Sequence, residues 1–343
     1  MTPPAIDRAL ISVAAALLTL AGCVPAAVPN TPTQAPTVNL KVVILPFIAF
    51  APFYIAQDEG FFGEEGLNVE FVNMTTQPDT IPALVSGQVD VTSGQVSSGM
   101  LNSIAKGARA AFVADKGYID PAGCDNLALV ARSTLLPQGG QPSADMLRGK
   151  RLNLVRGTWM EYYIEKLLGT IDLGVDELET VQIPSPAQPE AMANGQLDMA
   201  AQNEPWVTTL VQAGHRPILT PVHELMPNSE SAVMLYGQKL LDGNAAVGNR
   251  FMVAYLKAVR QYNQGKTDRN VAIVSKYTQL DGRILRDMCW PALRGDGEMD
   301  TASVLDFQAW AVRKGLLDQA LPAERFWDPS FTRHAIQQLG PAR

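Results

Sequence analysis

From Leu40 onward, the hydrophobic positions form short apolar runs that alternate with segments of helical spacing. Residues 41–45 read Lys-Val-Val-Ile-Leu, which is typical of a buried strand, and residues 67–71 alternate between apolar and polar side chains as in a half-buried strand. Between the two strands, Pro52 can occupy the first turn of a helix that ends at Gly60. Because this strand, helix, strand order repeats, we expect an α/β fold with mostly parallel sheets flanked by helices.

A second unit of the same kind follows, and it contains an internal echo of the first. Residues 83–91 recur as a similar sequence at residues 191–199, which lie 108 positions later. Each copy reads as a helix, a glycine stop, a polar corner and a strand with an early aspartate, Asp90 or Asp198. The echo predicts two lobes of related design, in which each aspartate accepts hydrogen bonds from nearby backbone N–H groups.

The first apolar run of the chain lies at the N-terminus and predicts export. Residues 9–20 follow Arg8 and are too few to cross a bilayer, which fits a secretory signal peptide. The run ends in Leu-Ala-Gly-Cys, an order that resembles a bacterial lipobox, in which Cys23 is lipidated and becomes the mature N-terminus. A plain signal peptide with a chance cysteine is the alternative. Residues 24–39 contain four prolines and no apolar period, so they read as an extended tether.

Composition narrows the class of protein further. The 343 residues are 47% hydrophobic and 18% charged, which is enough for two globular lobes, and the net charge of −7 argues against nucleic acid as a partner. No His or Cys cluster has metal-ligand spacing, and the chain contains no phosphate-loop or nucleophile-elbow motif. We therefore expect no metal, no cofactor and no enzyme activity. Cys124 and Cys289 either form a disulfide in an oxidising compartment or remain two free thiols.

Several motifs, in a fixed order, carry a family resemblance. They are Ala-Pro-Phe-Tyr-Ile-Ala at residues 51–56, residues 60–70, residues 83–90, Leu-Arg-Gly-Lys-Arg at residues 147–151 and Gly-Gln-Leu-Asp at residues 195–198. Together they resemble the periplasmic-binding-protein-like (type II) solute-binding proteins of ABC transporters for nitrate, alkanesulfonates, taurine and thiamine-pyrimidine precursors. The resemblance covers most of residues 40–206.

The resemblance implies two lobes joined by a hinge that the chain crosses twice, near Arg132 and near Ser231. Such lobes close over one ligand, which lies in the cleft beyond the carboxyl ends of the strands. The expected segments are a signal peptide at residues 1–22, the lipidated cysteine and tether at residues 23–39, lobe 1 at residues 40–131 and 232–343, and lobe 2 at residues 132–231.

Loops after the predicted strands supply the candidate ligand-binding residues. They are Phe50, Tyr54, Gln95, Ser97, Tyr118, Arg156, Thr158, Glu204 and Trp206. The aromatic rings offer stacking faces, Gln95 offers both a donor and an acceptor, and Arg156 is the only cation of the set. For each residue the alternative is a role in core packing, helix capping or a solvated surface.

This mixture favours a small flat nitrogen heterocycle as the ligand, namely a thiamine pyrimidine precursor, thiamine or riboflavin. The resemblance implies an exported monomer, anchored to the cell membrane by its N-terminal lipid, that hands its ligand to an ABC permease and ATPase. One alternative is a binding protein for alkanesulfonate, taurine or nitrate. Further alternatives are an enzyme similar to a fungal thiamine-precursor synthase and a receptor whose closure signals to a membrane partner.

Overall fold

The computed structural model describes residues 37–136 and 140–342. The predicted signal peptide, Cys23 and most of the predicted tether lie outside these described residues. The first strand begins at Val38, inside the segment that was predicted as tether, because residues 38–44 pair along their whole length with a neighbouring strand.

The described residues form ten strands and fifteen α-helices. The strands are β1 (Val38–Ile44), β2 (Leu67–Asn73), β3 (Val91–Gln95), β4 (Ala110–Tyr118), β5 (Leu127–Ala131), β6 (Arg151–Asn153), β7 (Glu179–Val181), β8 (Met199–Asn203), β9 (Arg216–Pro217) and β10 (Glu230–Gly237). The helices are α1 (Ala51–Asp58), α2 (Phe61–Glu64), α3 (Thr80–Val85), α4 (Ser98–Ala105), α5 (Ala144–Leu147), α6 (Trp159–Gly169), α7 (Gln188–Ala193), α8 (Trp206–Gln212), α9 (Val222–Leu225), α10 (Ala245–Tyr262), α11 (Asp268–Thr278), α12 (Gly282–Asp287), α13 (Thr301–Arg313), α14 (Ala323–Phe326) and α15 (Ser330–Leu339).

The strands build two five-stranded sheets of matching design. The first sheet has the order β2-β1-β3-β10-β4, and the second has the order β7-β6-β8-β5-β9. In each sheet the first three strands of this order are parallel, and the fourth runs antiparallel to the third. The antiparallel strand of each sheet is the first strand formed after the chain arrives from the other sheet. The predicted two-lobe α/β fold, with mostly parallel sheets flanked by helices, is confirmed.

The chain crosses between the lobes within residues 119–126 and again within residues 218–229. The first crossing lies earlier than the predicted position near Arg132. The reason is that β5, which was assigned to lobe 1, pairs with β8 and β9 in the second sheet. The second crossing ends just before Ser231, close to its predicted position.

The internal echo of the sequence corresponds to one corner in each lobe. Helix α3 leads through Gly87 into β3, and helix α7 leads through Gly195 into β8. The two glycines have φ values of 73° and 70°, in the left-handed region where a side chain would be strained. The same helix-to-strand turn is therefore built twice from the same residue pattern.

The aspartates of the echo join each corner to the neighbouring strand. Asp90 Oδ2 accepts the backbone N–H of Lys41 in β1 at 2.8 Å, and Asp198 Oδ2 accepts that of Arg151 in β6 at 3.0 Å. Asp198 also pairs with the Arg132 guanidinium at 2.6 Å. Both aspartates thus have the backbone-bonding role that the sequence predicted.

The C-terminal helices complete lobe 1. Helix α10 packs against α1 and α15, and α14 and α15 contact β4. At the α1–α10 interface, the ring of Phe53 lies between those of Phe251 and Tyr255, with centroid distances of 6.3 and 5.4 Å. In the described ranges, no helix combines the length and apolarity that crossing a bilayer requires.

A disulfide joins Cys124 to Cys289, with their Cα atoms 5.7 Å apart. Cys124 lies in the first crossing segment, and Cys289 lies between α12 and α13. Of the two alternatives left open by the sequence, the structure contains the bonded one. The bond ties the first crossing to the helices that pack on lobe 1.

Replacing Asp198 by asparagine should destabilise lobe 2, because the bonds from Arg132 and Arg151 lose their charge. Burial alone would raise the pKa of Asp198, but these bonds hold it below its ordinary value. The stabilising contribution is therefore present above about pH 4 and is lost as the pH falls through the lowered pKa. At pH 7 we expect the free energy of unfolding in urea to fall by about 2 kcal/mol.

Asp145→Asn is the matched control, because Asp145 is exposed and pairs with Arg148 at the surface. It should leave the unfolding midpoint unchanged within error. Equal effects of the two substitutions would contradict the structural role of Asp198.

Candidate ligand-binding cleft

A cavity of about 260 Å³ lies between the two lobes. Its walls come from the carboxyl ends of β1, β3, β6 and β8 and from the loops that follow β2 and β7. These are the strand ends at which open α/β sheets bind ligands. The cavity is therefore the candidate site.

Most polar groups of the cavity wall are uncharged amides. The seven carboxamide side chains among the lining residues are Gln77, Gln95, Asn153, Gln182, Gln188, Gln202 and Asn203. A carboxamide presents both N–H donors and an acceptor oxygen, so the wall can match a ligand that carries both kinds of group.

Hydrogen bonds hold several of these amides in place. Gln77 Nε2 donates to the Gln95 carbonyl at 2.7 Å and Gln77 Oε1 accepts the Gln95 N–H at 3.0 Å, which is a two-point bond between a loop and the end of β3. In lobe 2, Gln202 Nε2 donates to Gln188 Oε1 at 2.8 Å, and Gln188 Nε2 donates to the Ile183 carbonyl at 2.8 Å. The amides are thus oriented before any ligand binds.

The two copies of the echoed strand meet across the cavity. Gln95 ends β3 and Asn203 ends β8, and Gln95 Nε2 donates to Asn203 Oδ1 at 3.3 Å. The two residues are separated by the same 108 positions as the echoed motifs. Equivalent positions of the two lobes are therefore partners in one hydrogen bond.

Backbone bonds also join the lobes around the cavity. The Trp159 N–H donates to the Val96 carbonyl at 2.8 Å, and the Ser98 N–H donates to the Gly157 carbonyl at 2.8 Å. The Ile48 N–H donates to the carbonyl of a lobe 2 residue, Glu204, at 3.2 Å. The structure is thus a closed arrangement, in which the strand-end loops of both lobes touch.

Lys116 is the single ionisable side chain among the residues that line this cavity. It is 1% exposed, and its Nζ donates to the Ala49 carbonyl oxygen. The Nζ atom lies 4.6 Å from the ring centre of Phe50 and 5.0 Å from that of Phe53. Burial lowers the pKa of Lys116 to about 7, against the opposing charge of Asp115.

Two buried carboxyl groups lie in the same lobe and do not line the cavity. Asp115 Oδ2 accepts the Arg294 N–H at 2.7 Å, and Glu230 Oε2 accepts the Asp300 N–H at 3.0 Å. Burial raises the pKa of Asp115 and raises that of Glu230 well above its ordinary value, and the nearby Asp115 adds to the Glu230 shift. These groups lie just before the first crossing and just after the second, where they join β4 and β10 to the C-terminal region.

Three of the predicted site residues, Phe50, Gln95 and Thr158, line the cavity. Ser97 and Arg156 line a different and wider groove of about 700 Å³, to which Thr158 also contributes. The wider groove runs between α3, α4 and residues 155–158, so it lies beside the strand ends. We take the smaller cavity as the site, because its lining comes from the strand ends of both sheets.

Both residues of the wider groove have partners within the protein. Ser97 Oγ accepts the Met100 N–H at 3.3 Å and caps α4. Arg156 pairs with Glu161 at 2.6 Å and with Asp176 at 2.9 Å. Ser97 therefore has the capping role that was its alternative to ligand binding, and Arg156 forms ion pairs where a solvated side chain was the alternative.

Two predicted tyrosines pack against other side chains and do not line the cavity. The ring of Tyr54 stacks on that of Tyr277 with a centroid distance of 4.9 Å, and burial raises the pKa of Tyr54 to about 12. The ring of Tyr118 lies under the Arg294 guanidinium, 4.1 Å from its central carbon. The ring of Tyr54 also contacts that of Phe71 in β2, at a centroid distance of 5.8 Å.

Glu204 and Trp206 lie at the boundary between the lobes and do not line the cavity. The Glu204 carboxylate is buried and accepts the backbone N–H and the hydroxyl of Thr208 at 2.9 and 2.8 Å, so it caps the first turn of α8. Trp206 Nε1 donates to the carbonyl of Pro46 in lobe 1 at 3.0 Å. Trp206 therefore joins the lobes through its N–H group.

The sequence prediction missed several lining residues, above all Lys116. The strand-end rule, applied also to the edge strands β2 and β7, would have nominated residues 75–78 and 182–185, which line the cavity. Lys116 gave no such signal, because a lysine near a strand end usually extends into solvent. Among the described residues, no group of three or more His, Cys, Asp or Glu side chains could hold a metal ion.

Sequence comparisons agree with this architecture. Residues 48–115 match the family model described as "NMT1/THI5 like". A curated relative from Brucella abortus (strain 2308), which is named a binding protein, is 22% identical over 236 residues, or 66% of this chain and 67% of the relative.

Solved structures share the fold at low sequence identity. A ligand-binding component of an ABC-type import system from Staphylococcus aureus superimposes with a TM-score of 0.72, at 16% identity over 87% of this chain and 99% of its own. The nitrate-binding protein of Synechocystis PCC 6803 gives 0.70, at 16% identity over 90% and 91%. The alkanesulfonate-binding protein of Xanthomonas axonopodis pv. citri gives 0.67, at 16% identity over 86% and 99%.

These matches confirm the predicted resemblance to two-lobe periplasmic solute-binding proteins. A desulfurization enzyme also has this fold, with a TM-score of 0.61 at 15% identity over 88% of this chain and 99% of its own. Fold alone therefore does not separate binding from catalysis, whereas the residues of the site can.

Trp206→Phe should favour the open arrangement of the lobes, because phenylalanine keeps an aromatic ring and loses the N–H bond to Pro46. Loss of one hydrogen bond should shift the closure equilibrium about two- to tenfold toward the open form. We expect a larger radius of gyration by small-angle X-ray scattering. The control is Trp290→Phe, because Trp290 Nε1 donates to the Leu285 carbonyl within lobe 1. An unchanged scattering profile for Trp206→Phe would contradict a role of this hydrogen bond in holding the lobes together.

Proposed function

We propose that the protein is an exported solute-binding protein of an ABC importer, which captures a small solute between its lobes and delivers it to a permease and ATPase. The observation that carries this proposal is the cavity between the lobes, lined by strand-end residues of both sheets. The solute-binding proteins that share the fold support it.

The capture step follows from the two crossing segments. Rotation of the lobes about residues 119–126 and 218–229 would separate Gln95 from Asn203 and open the cavity to solvent. Closure would restore these contacts and exclude water from the solute. The hydrogen bond between Gln95 and Asn203 would then stabilise the closed form, since it requires the ends of β3 and β8 to face each other.

The cavity favours a small uncharged or anionic nitrogen heterocycle. Carboxamides can bond the ring nitrogens and exocyclic groups of such a solute, and Phe47 and Phe50 supply apolar contact area. A volume of about 260 Å³ lies below the usual range of roughly 300–1,000 Å³ for ligand sites, which favours a single ring over riboflavin. The lining residues that the structure describes include no carboxylate for the fixed positive charge of thiamine. A pyrimidine precursor therefore fits best of the three.

An alkanesulfonate, taurine or nitrate is the second candidate solute. The observation that favours it is Lys116, which supplies a cation beside several amide N–H donors. The nitrate- and alkanesulfonate-binding proteins that share the fold add weight to this candidate.

A binding role accounts for the cavity better than catalysis. Hydrolysis or group transfer needs a nucleophile or an acid–base pair beside the substrate. Lys116 is the only titratable residue in the described part of the lining, and the carboxyl groups of Asp115 and Glu230 bond to backbone N–H groups outside the cavity.

A thermal-shift panel tests the proposed function. Aminopyrimidines, thiamine, riboflavin, taurine, ethanesulfonate and nitrate would each be added to the purified protein. A true solute at a hundredfold its Kd should add about 2.7 kcal/mol to the free energy of unfolding, and mass spectrometry should show that it is unchanged.

Gln202→Leu should abolish that shift, because it removes an amide from the cavity wall. Gln264→Leu is the matched control, because Gln264 is exposed after α10 and should keep the shift. Turnover of any panel compound would favour the enzyme alternative.

Membrane anchoring is a separate proposal that rests on the lipobox-like sequence. Cys23→Ser should move the protein from the membrane fraction to the soluble fraction and should abolish labelling with radioactive palmitate, since lipid chains are needed for stable attachment. Asn30→Ala, in the predicted tether, should change neither. Membrane retention of the Cys23 variant would refute the anchor.

A further inference from the structure

We propose that the solute carries one acidic group and that Lys116 Nζ is the counter-ion for this group inside the cavity. The inference rests on the proposed function and narrows the solute to a small organic monoanion, a carboxylate or a sulfonate. It is met by a heterocycle that carries a carboxylate and by an alkanesulfonate, and it favours both over a pyrimidine precursor without an acidic group.

The charge balance of the cavity is the first argument. Among the described lining residues, Lys116 is the only ionisable one and none is acidic. Among the described residues, no carboxylate forms an ion pair with Lys116, whereas most other lysines and arginines of the lobes pair with an acid. A buried ammonium without a partner is costly, and a solute anion would offset that cost.

The geometry of the ammonium group is the second argument. An ammonium has three N–H donors, and the hydrogen bond found for Lys116 is the one to the Ala49 carbonyl. The Nζ atom lies 4.6 Å from the ring centre of Phe50 and 5.0 Å from that of Phe53, and these contacts restrain the lysine side chain. The amine is therefore held in one place, with donor capacity left for an anion.

Lys116 and the surrounding uncharged amides together set the number of negative charges that the site accepts. Gln95 lines the same cavity and donates one amide N–H to Asn203, so its second N–H can bond an oxygen of the solute, but it neutralises no charge. One lysine balances one negative charge. A dianion such as a phosphate monoester would therefore keep an unbalanced buried charge, which disfavours its binding.

Proton uptake should accompany binding of the anion. Burial brings the pKa of Lys116 to about 7, and a bound anion would raise it again. The charged group that acts on Lys116 within lobe 1 is Asp115, which is itself bonded to the Arg294 N–H and close to Glu230. Above about pH 7, the affinity for the anion should fall by up to tenfold per pH unit.

The test uses isothermal titration with pyrimidine-5-carboxylate, its neutral isostere pyrimidine-5-carboxamide, and ethanesulfonate, at pH 6 to 9. We expect at least one anion to bind, with uptake of up to one proton at pH 8, and the carboxamide to bind at least tenfold more weakly. Lys116→Met should abolish the pH dependence and weaken anion binding at least tenfold. Comparing the carboxylate with the sulfonate separates the two acid classes.

Lys106→Met is the matched control, because Lys106 is also in lobe 1 but lines the wider groove. It should leave affinity and pH dependence unchanged. Circular dichroism and the wild-type pH profile keep the test valid if Lys116→Met folds poorly.

Three outcomes would overturn the inference. The first is equal binding of the carboxamide and the carboxylate, and the second is pH-independent anion binding by the wild type. The third is the absence of anion binding at concentrations up to about 10 mM, where even a weak complex would form. If a neutral compound of the thermal-shift panel still binds and closes the lobes, the proposed function stands without the anion. If no compound of either experiment binds, the proposed function fails as well.

Discussion

The meeting of β3 and β8 at their carboxyl ends is the constraint on which the site depends. Each strand lies at the centre of its own sheet, beside the antiparallel strand that has just arrived from the other lobe. Because the two sheets have the same order, the ends of the equivalent strands can face one another across one gap. The bond between Gln95 and Asn203 marks that point. The loops around it can form one cavity only while both sheets keep this relation.

The repeated corners explain how the relation is kept. Asp90 and Asp198 fix the start of β3 and β8 to their parallel neighbours through backbone N–H groups. Because each strand is fixed at its start, its carboxyl end lies at a defined position relative to the neighbouring strands. The corners lie at the opposite ends of the strands from the cavity, so their effect on the site is one of positioning. The disulfide adds a covalent tie between the first crossing and lobe 1.

The fold alone does not specify the lining of the cavity, which in this chain is rich in polar side chains. The shared fold includes nitrate- and alkanesulfonate-binding proteins and a desulfurization enzyme. What differs between such proteins has to lie in the loops at the strand ends. Here the strand ends and the segments beside them contribute several amides that are bonded to one another and, among the described lining residues, a single buried amine. Oriented amides lose little entropy on binding a solute, which favours affinity.

The sequence by itself determined the α/β class, the repeated corner and the loops in which to search, because these follow from hydrophobic period, glycine positions and strand order. Phe50, Gln95 and Thr158 could be found in this way. Tertiary structure alone decided which residues of each loop turn inward. Glu204 and Tyr54 were taken up by a helix cap and by the core. Lys116 entered the cavity because Ala49, Phe50 and Phe53 from another element enclose its amine. Such enclosure depends on side chains that are distant in sequence, and no local pattern records it.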